Sequence, residues 1–195
     1  MTNQILESIK SFVNLSVEEE AAFVAILQVK RLKKKEFLLQ EGQICNKISF
    51  LNQGCLRLFY NVEGNENTIQ FFLENRNTWY TDYESFLTGR PTVENVQALE
   101  PCEVVQFKKE DLDKLYRIYP IFDKFGRIMA ENAFLSLSTL NKMLTNEEPE
   151  ARYLNLLKQR PELFEKVPQH YIASYLGVKP ESLSRIRKRI LKGSK

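Results

Sequence analysis

The sequence predicts an α+β protein: an N-terminal antiparallel β-roll of jelly-roll type with flanking helices, then a long helix and a small helical C-terminal domain. Three observations predict this order. Short segments of β-branched and aromatic residues, divided by turn residues, run from Arg31 to Phe107. Apolar residues recur at helical spacing from Phe122 to Met143. Two short amphipathic segments flank Gly177. The predicted domains are the roll, 1–120, the long helix, 121–145, and the C-terminal domain, 146–195.

Composition narrows the class of protein. At 195 residues, 43% of them apolar, the chain can bury a core in one large domain and one small one. Met1 to Phe12 lacks the pattern of an export signal, and no run approaches the length of a membrane span, so we expect a cytoplasmic protein without membrane contact. The single histidine, His170, excludes a histidine-rich site, and no metal ion is expected. The three cysteines lack C-x-x-C spacing and are expected to be reduced and buried: Cys45, Cys55 and Cys102.

The N-terminal segment is predicted to be helical. Ser16 and Glu19 fit a capping box, and the run that follows is amphipathic through Leu27. Turn residues, Glu63-Gly64 among them, then divide seven or eight short strands, which is the spacing of an antiparallel barrel or jelly roll. Within the roll, Trp79 to Thr88 differs, because it is aromatic and carboxylate-bearing and predicts a short helical turn.

The predicted long helix has more than one apolar face. One set of residues alternates in steps of four and three, the spacing of a coiled-coil seam: Phe122, Gly126, Met129, Ala133, Ser136, Leu140 and Met143. A second set widens the apolar surface: Phe125, Ile128, Phe134, Leu137 and Leu144. We expect one face to pack on the roll and the other on a second copy of the chain. The alternative is a helix packed wholly within its own monomer, and the pattern does not show which face meets a partner.

A hinge is predicted where the helical pattern breaks at Asn146 to Pro149. Thr145 and Glu148 offer a second capping box ahead of a short helix over Ala151 to Lys158. Beyond it, Pro161 and Pro168 are predicted to bracket a loop.

The two segments around Gly177 predict a helix-turn-helix. The second helix buries one face through Leu183, Ile186 and Ile190, and its opposite face carries Ser182, Arg185 and Arg189, with Glu181 at its start. This is where a recognition helix meets base edges in the major groove. Only Leu191 to Lys195 follow, so little or no wing is expected.

Charge is concentrated in the same segment. Lys179 to Lys195 holds seven Lys or Arg and one Glu, a net of +6, whereas the whole chain carries +3, so residues 1–178 carry −3. A positive field focused on one helix predicts contact with double-stranded DNA, although such a helix can also be merely solvated. The predicted DNA-binding residues are Lys179, Glu181, Ser182, Arg185, Arg187, Lys188, Arg189 and Lys192.

These elements together resemble the Crp/Fnr family of bacterial transcription regulators, over nearly the whole chain. Leu38 to Gly42 followed by Ile48 to Leu58 is similar to the family's paired-glycine roll opening, and Gly177 to Ile186 is similar to its recognition-helix signature. The resemblance implies a homodimer on a pseudo-palindromic operator, in which Glu181 and Arg185 contact bases. It also implies RNA polymerase as a further partner. Pro180 stands where the family often has an arginine, so half-site preference is expected to differ.

The segment Trp79 to Glu94, called the effector cassette below, departs from the family. Members that bind cyclic nucleotides hold the cyclic phosphate with a short helix opened by Gly-Glu, then an Arg and a small hydroxyl residue. Here Thr92 or Val93 stands in the arginine's place, and Arg90 lies out of register beside Pro91. A phosphate needs backbone N–H groups and a guanidinium to replace its water, so cyclic AMP is not expected to bind through the usual contacts.

Other cofactors and effectors are constrained as well. The chain lacks the N-terminal cysteine group and the roll histidine with which family members hold an iron–sulfur cluster or haem, so no cofactor is expected. A different small-molecule effector would use a mixed aromatic and polar pocket. Its predicted residues are Arg57, Trp79, Tyr83, Glu84, Arg90 and Thr92. The alternative is that the aromatic residues of the cassette, Trp79, Tyr80, Tyr83 and Phe86, fill the roll and pack on the long helix.

Two other functions stay open at this point. In one, the C-terminal helices of an effector sensor dock a protein partner rather than DNA. In the other, the roll is an active site built on Glu84, Asp82 and Tyr83, since paired carboxylates can do acid–base work. No second catalytic motif accompanies them, so the protein is not expected to be an enzyme.

Overall fold

A computed structural model describes residues 3–74, 76 and 78–193, except for the side chains of 191–193. Its helices are α1 (Asn3–Lys10), α2 (Val17–Ala25), α3 (Tyr83–Thr88), α4 (Lys109–Ile118), α5 (Pro120–Asn146), α6 (Pro149–Gln159), α7 (Glu162–Lys166), α8 (Gln169–Tyr175) and α9 (Pro180–Gly193). Its strands are β1 (Gln28–Leu32), β2 (Phe37–Leu39), β3 (Lys47–Gln53), β4 (Cys55–Val62), β5 (Asn65–Leu73), β6 (Trp79–Tyr80), β7 (Glu94–Ala98) and β8 (Cys102–Lys108).

The strands form two four-stranded sheets, in the orders β1-β8-β3-β6 and β2-β7-β4-β5. The register of the first sheet places Phe50 of β3 opposite Val105 of β8 and, on the other face, Ser49 opposite Gln106. Since successive side chains of a strand point to opposite faces, one face of this sheet is apolar and packs on helices. The predicted antiparallel roll, flanking helices, long helix and C-terminal helices are confirmed.

The apolar face of the first sheet packs on residues of α1, α2, α4 and α5. Phe23 of α2 lies at its centre, with its ring 5.2 Å from that of Phe107 and 5.7 Å from that of Phe122. The predicted capping box sets the start of α2, because Ser16 Oγ accepts a hydrogen bond from the Glu19 N–H at 3.2 Å and Glu19 Oε2 accepts one from the Ser16 N–H at 2.7 Å. By fixing where α2 begins, the capping box helps to place Phe23 on the helix face that packs on the core.

Two turns of the roll need residues with positive φ. The β4–β5 loop is the pair Glu63 and Gly64, at φ +51° and +80°, the left-handed conformation that suits a two-residue hairpin loop. Gly54, between β3 and β4, has φ +102°, and a Cβ there would lie 2.6 Å from Cys102 Sγ and 2.7 Å from the Pro101 carbonyl oxygen. Gly54 therefore allows the backbone of the β3–β4 turn to lie against Pro101 and Cys102.

Gly54→Ala is expected to lower the free energy of unfolding by roughly 2–4 kcal/mol, because it adds left-handed strain and overpacks the turn. Urea denaturation measures this loss. Gly42→Ala is the matched control, since Gly42 has φ +86° but a Cβ added there would meet nothing within 4 Å. Its loss is expected to be about 1–2 kcal/mol. Equal losses at the two glycines would contradict the packing contribution at Gly54.

The chain divides into two compact units. One comprises the residues up to Leu58 with Phe71–Ala133, and the other comprises Phe59–Gln70 with the residues from Phe134 onward. α5 runs without a break from Pro120 to Asn146, and the β4–β5 hairpin groups with the C-terminal helices.

Two local predictions in the C-terminal region are wrong. Thr145 and Glu148 form no capping box: Thr145 lies inside α5, where its hydroxyl donates to the Asn141 carbonyl at 2.9 Å, and Glu148 precedes α6 without a side-chain capping bond. The segment between Pro161 and Pro168 is not a loop but contains α7. Pro161 has helical dihedrals (φ −58°, ψ −31°), so it begins the helical turn rather than interrupting it. Of the helices that the structure describes, none has the length and apolar character to cross a membrane.

Candidate functional site

Helices α8 and α9 pack through one apolar face each. Ile172, Ala173 and Leu176 of the first are fully buried, and Leu183 and Ile186 of the second nearly so. Gly177 turns the chain between them at φ +67°, and the Val178 N–H closes the end of α8 by donating to the Ala173 carbonyl at 2.9 Å. The predicted apolar positions thus fix α9 against α8 and leave the rest of its surface open.

The open surface of α9 carries the predicted polar and basic residues. Glu181, Arg185, Lys188 and Arg189 are exposed, as is Lys179 just before the helix, and Ser182 and Arg187 are half-buried. Arg185 Nη2 donates to Ser182 Oγ at 3.2 Å, so this guanidinium lies along the helix towards its N-terminus. The side chain of Lys192 lies outside the described residues. We call the exposed side chains of Lys179 and α9 the basic face.

Arg189 has an acidic neighbour that the sequence did not indicate. Its guanidinium forms an ion pair with Glu150 of α6. Both side chains are substantially exposed, so the pair stabilises the fold by no more than about 1 kcal/mol. A phosphate that binds Arg189 would have to break this ion pair and lose that stabilisation. We therefore expect Arg189 to bind an anion more weakly than Lys188.

Arg152 is a second residue that sequence patterns missed. It is buried at 8% exposure in α6, and its Nη1 donates to the Leu144 carbonyl at 3.0 Å, in the last turn of α5. A guanidinium at a helix C-terminus satisfies a carbonyl that has no partner within the helix. The side chain therefore fastens α5 to α6 across the predicted hinge. Its only sequence signal is a basic residue on the same helix face as Tyr153 and Leu156.

The side chain of Ser174 joins α8 to the β4–β5 hairpin by two hydrogen bonds. Ser174 Oγ accepts a hydrogen bond from the Thr68 N–H at 2.8 Å and donates one to the Glu66 carbonyl at 3.0 Å. A single hydroxyl thus satisfies two backbone groups of the hairpin. These bonds explain why the hairpin groups with the C-terminal helices.

Residues of the effector cassette form hydrogen bonds with one another. Asp82 precedes α3, and its carboxylate accepts from the Ser85 N–H at 3.2 Å and from the Thr92 hydroxyl at 2.5 Å. Asp82 and Thr92 are 7% and 3% exposed. Thr92, one of the two residues that could stand in the arginine's place, therefore donates to a carboxylate at the start of α3, where the resemblance would put the cyclic phosphate. A second anion at this position would meet the charge of Asp82.

Ser85 and Arg90 complete the closure. The Ser85 hydroxyl, 1% exposed, donates to the Arg90 carbonyl at 2.6 Å and accepts from the Cys45 N–H at 2.9 Å. The Arg90 side chain itself is exposed. The cassette thus uses Arg90 for its backbone oxygen, and the guanidinium does not point to an interior site.

The six predicted pocket residues lie in three different environments. Arg57 is fully buried in β4, and Thr92 is buried against Asp82. Glu84 and Arg90 are exposed, and Tyr83 is half-buried, which raises the pKa of its phenol. The sixth, Trp79, belongs to the aromatic core. The six side chains therefore do not share one environment.

Trp79 and Tyr80 pack within the roll, and Trp79 also packs on the long helix, as the alternative for these aromatic residues predicts. The Trp79 indole N–H donates to Ser8 Oγ at 2.8 Å, and its ring centroid lies 5.0 Å from that of Phe50 and 5.6 Å from that of Phe125 on α5. Tyr80 packs edge to face on Phe72 with their centroids 5.4 Å apart. Burial raises the pKa of Tyr80 well above its ordinary value, and the neighbouring Glu94 carboxylate, which accepts the Tyr80 hydroxyl at 2.9 Å, raises it further.

The predicted seam on α5 needs correction at Phe122. This ring is fully buried against Phe23 in the roll core, so it cannot meet a second chain, and Met129 packs partly on the same core. Farther along, Ala133, Leu140 and Met143 are half-buried and Ser136 is exposed.

A different line of α5 is exposed. Phe134 and Leu137 are 70% and 63% exposed, and Leu144 is 39% exposed. Together with Asn141 they follow steps of three, four and three, so they share one side of the helix. We call Phe134, Leu137, Asn141 and Leu144 the exposed line.

Comparison with known proteins agrees with this architecture. Residues 29–119 match the cyclic nucleotide-binding domain family. No curated protein sequence matches the chain. Among solved structures, FixK2 from Bradyrhizobium japonicum superposes with a TM-score of 0.73 at 15% identity, covering 87% of this chain and 86% of that one. A CooA mutant from Carboxydothermus hydrogenoformans superposes with a TM-score of 0.68 at 16% identity, covering 93% and 86%.

The c-di-GMP responsive global regulator CLP of Xanthomonas campestris is a third similar fold, with a TM-score of 0.67 at 14% identity over 92% of this chain and 93% of that one. At these identities the likeness is one of fold. Residues 29–119 thus match the cyclic nucleotide-binding domain family, and the chain has the fold of the Crp/Fnr regulators that its sequence motifs resemble.

Proposed function

We propose that the protein is a homodimeric, sequence-specific DNA-binding transcription regulator of Crp/Fnr type. The basic face carries this proposal. α9 buries Leu183 and Ile186 against α8 and leaves Arg185, Lys188 and Arg189 in solvent on one short helix. That division is the one a recognition helix needs, because the buried face fixes its orientation and the free face enters the major groove.

The residue types on the basic face suit base reading as well as phosphate contact. An arginine can bond guanine O6 and N7 with its two-pronged guanidinium, and a glutamate can accept from cytosine N4. Arg185 and Glu181 have these chemistries and lie one helical turn apart. Lys179, Arg187 and Lys188 would contact phosphates, which position the protein and give no sequence preference. Binding should therefore weaken steeply with salt, since each phosphate contact releases counterions.

Dimerisation would use the exposed line rather than the predicted seam through Phe122. Phe134, Leu137 and Leu144 present apolar surface at coiled-coil spacing, and one polar residue among apolar seam positions, here Asn141, sets the register of paired helices. A two-fold axis between two copies of α5 would present two recognition helices to successive major grooves, with half-site centres about 34 Å apart.

The effector is proposed to be a small molecule other than cyclic AMP, with no cofactor. The carboxylate of Asp82 already occupies the start of α3 and accepts from Thr92, and Thr92 or Val93 stands in the arginine's place. An effector would act by changing the orientation of the recognition helices about the segment Thr145 to Glu150, as a shift between two populations. RNA polymerase is the proposed further partner, and the cytoplasm the proposed location.

Selection of bound duplexes from a random pool by the full-length protein, with and without cyclic AMP, tests the proposal. We expect a pseudo-palindrome whose half-sites lie about ten base pairs apart, recovered equally in both arms. Recovery only with cyclic AMP would contradict the interpretation of the cassette. No enrichment in either arm, together with no salt-sensitive affinity for DNA, would contradict DNA binding and favour docking of a protein partner on the C-terminal helices.

A further inference from the structure

A cavity of about 160 Å³ lies between the two sheets, at the loop that joins β2 to β3. β1, β3, β6 and β8 line it from one sheet and β2 from the other. It is separate from the closed part of the cassette, because Asp82, Ser85 and Thr92 do not line it. Its one lining residue from the cassette is Tyr80.

Lys30 of β1 and Lys47 of β3 both line the cavity, although β8 lies between their strands, and none of the lining residues is acidic. Lys30 Nζ reaches the carbonyls of Phe37 and Leu38 only at 3.5 Å, which is long for an ammonium hydrogen bond. Among the described residues, the Lys47 ammonium has no ion pair or hydrogen bond. The cavity therefore holds two positive charges whose bonding capacity is largely unused.

The two charges are close enough to act on each other. Burial lowers the pKa of the Lys30 ammonium, Lys47 lowers it further, and Glu36 acts in the opposite direction. Glu94, which accepts the hydroxyl of Tyr80, is not among the residues that line the cavity. An anion between the two lysines would relieve their repulsion.

The remaining walls are polar on one side and apolar on the other. Gln106 Nε2 donates to Ser49 Oγ at 2.9 Å, which leaves the Ser49 hydroxyl hydrogen available to a ligand oxygen. Ser49 and Gln106 are 3% and 6% exposed, so this pair belongs to the interior. From the other sheet, Leu38 and Leu39 of β2 complete the lining, and both residues are 8% exposed.

We propose that this cavity binds a small organic monocarboxylate, with the carboxylate between Lys30 and Lys47 and the hydrocarbon part against Leu38 and Leu39. Size limits the ligand, because a cavity of about 150 Å³ holds a molecule the size of benzene, whereas drug-sized ligands need about 300 Å³ or more. A nucleotide does not fit these dimensions. The apolar wall distinguishes a carboxylate with a hydrocarbon part from inorganic phosphate.

Titration of the isotope-labelled full-length protein with benzoate and with butyrate, followed by amide NMR shifts and calorimetry, tests the inference. We expect saturable shifts at Lys30, Lys47 and Gln106, with affinity for benzoate at least about tenfold above that for neutral benzamide, as a hydrogen bond to a charged group requires. Inorganic phosphate is expected to compete poorly, since it cannot use the leucine wall.

Lys30→Met and Lys47→Met should each weaken benzoate binding about tenfold or more. Lys34→Met, at an exposed turn position that does not line the cavity, is the matched control and should change nothing. Circular dichroism and urea denaturation confirm that the variants are folded. Absence of binding by both carboxylates, equal affinity for benzamide, equally strong binding of phosphate, or equal loss in Lys34→Met would each overturn the proposal. These readouts need no DNA, so they stand or fall separately from the proposed regulator.

Discussion

Arg185→Ala is expected to abolish discrimination between an operator and random DNA while leaving the dimer intact. The side chain is exposed on the basic face and is held along α9 by Ser182, so its removal disturbs no buried contact. A guanidinium bound to a guanine contributes about 1–3 kcal/mol of discrimination at each half-site. Two half-sites double the effect, which is why this single substitution removes most of the specificity.

The measurement is a pair of binding isotherms, on the selected operator and on a scrambled duplex, at several salt concentrations. Lys188→Ala is the control on the same helix, also exposed. It should weaken binding to both duplexes alike and reduce the slope of log K against log salt by about one. Operator preference that survives in Arg185→Ala would remove the base-reading role from this residue.

Leu137→Glu is expected to separate the dimer and with it to lose operator binding. Leu137 is 63% exposed at the middle of the exposed line, so it has little packing to lose within its own chain. In a paired helix the substitution would bury two like charges near the two-fold axis, which costs several kcal/mol. A monomer holds only one recognition helix. Its affinity for the operator should therefore be lower than that of the dimer by the contribution of one half-site.

Sedimentation equilibrium at micromolar concentration measures the change directly. Leu135→Glu is the matched control, since Leu135 is 60% exposed but lies on another side of α5 from the exposed line. It should remain dimeric. A Leu137→Glu protein that still sediments as a dimer, or equal dissociation of both variants, would show that the two chains meet elsewhere.

Features that depend on a few neighbouring residues were predictable from the sequence. The capping box of Ser16 and Glu19 is formed because both partners lie within one helical turn. The burial of Leu183 and Ile186 follows from spacing along one helix, and the Glu63-Gly64 hairpin from the positive φ that such a turn requires. Local chemistry decides each of these.

Features that depend on distant partners were not predictable in the same way. Helical spacing identifies apolar faces of α5 but not what covers each, so it includes Phe122 in the predicted seam although the roll core buries this ring. Thr92 could be aligned with the family's arginine, but its bond to Asp82 depends on how the loop between them folds. Lys30 and Lys47 belong to different strands, and only the sheet places their charges around one cavity.

The two hydrogen bonds of Ser174 limit how the C-terminal helices can be exchanged between related proteins by recombination. The second compact unit is discontinuous in sequence, since the Phe59–Gln70 hairpin comes from within the roll. A recombination event at residue 146 would bring in a foreign α8 and leave the native hairpin behind, so Glu66 and Thr68 would meet whatever replaced the serine. A donor domain without a small hydroxyl at this place would lose both bonds to the hairpin, so we expect the hairpin and α8 to be inherited as a matched pair.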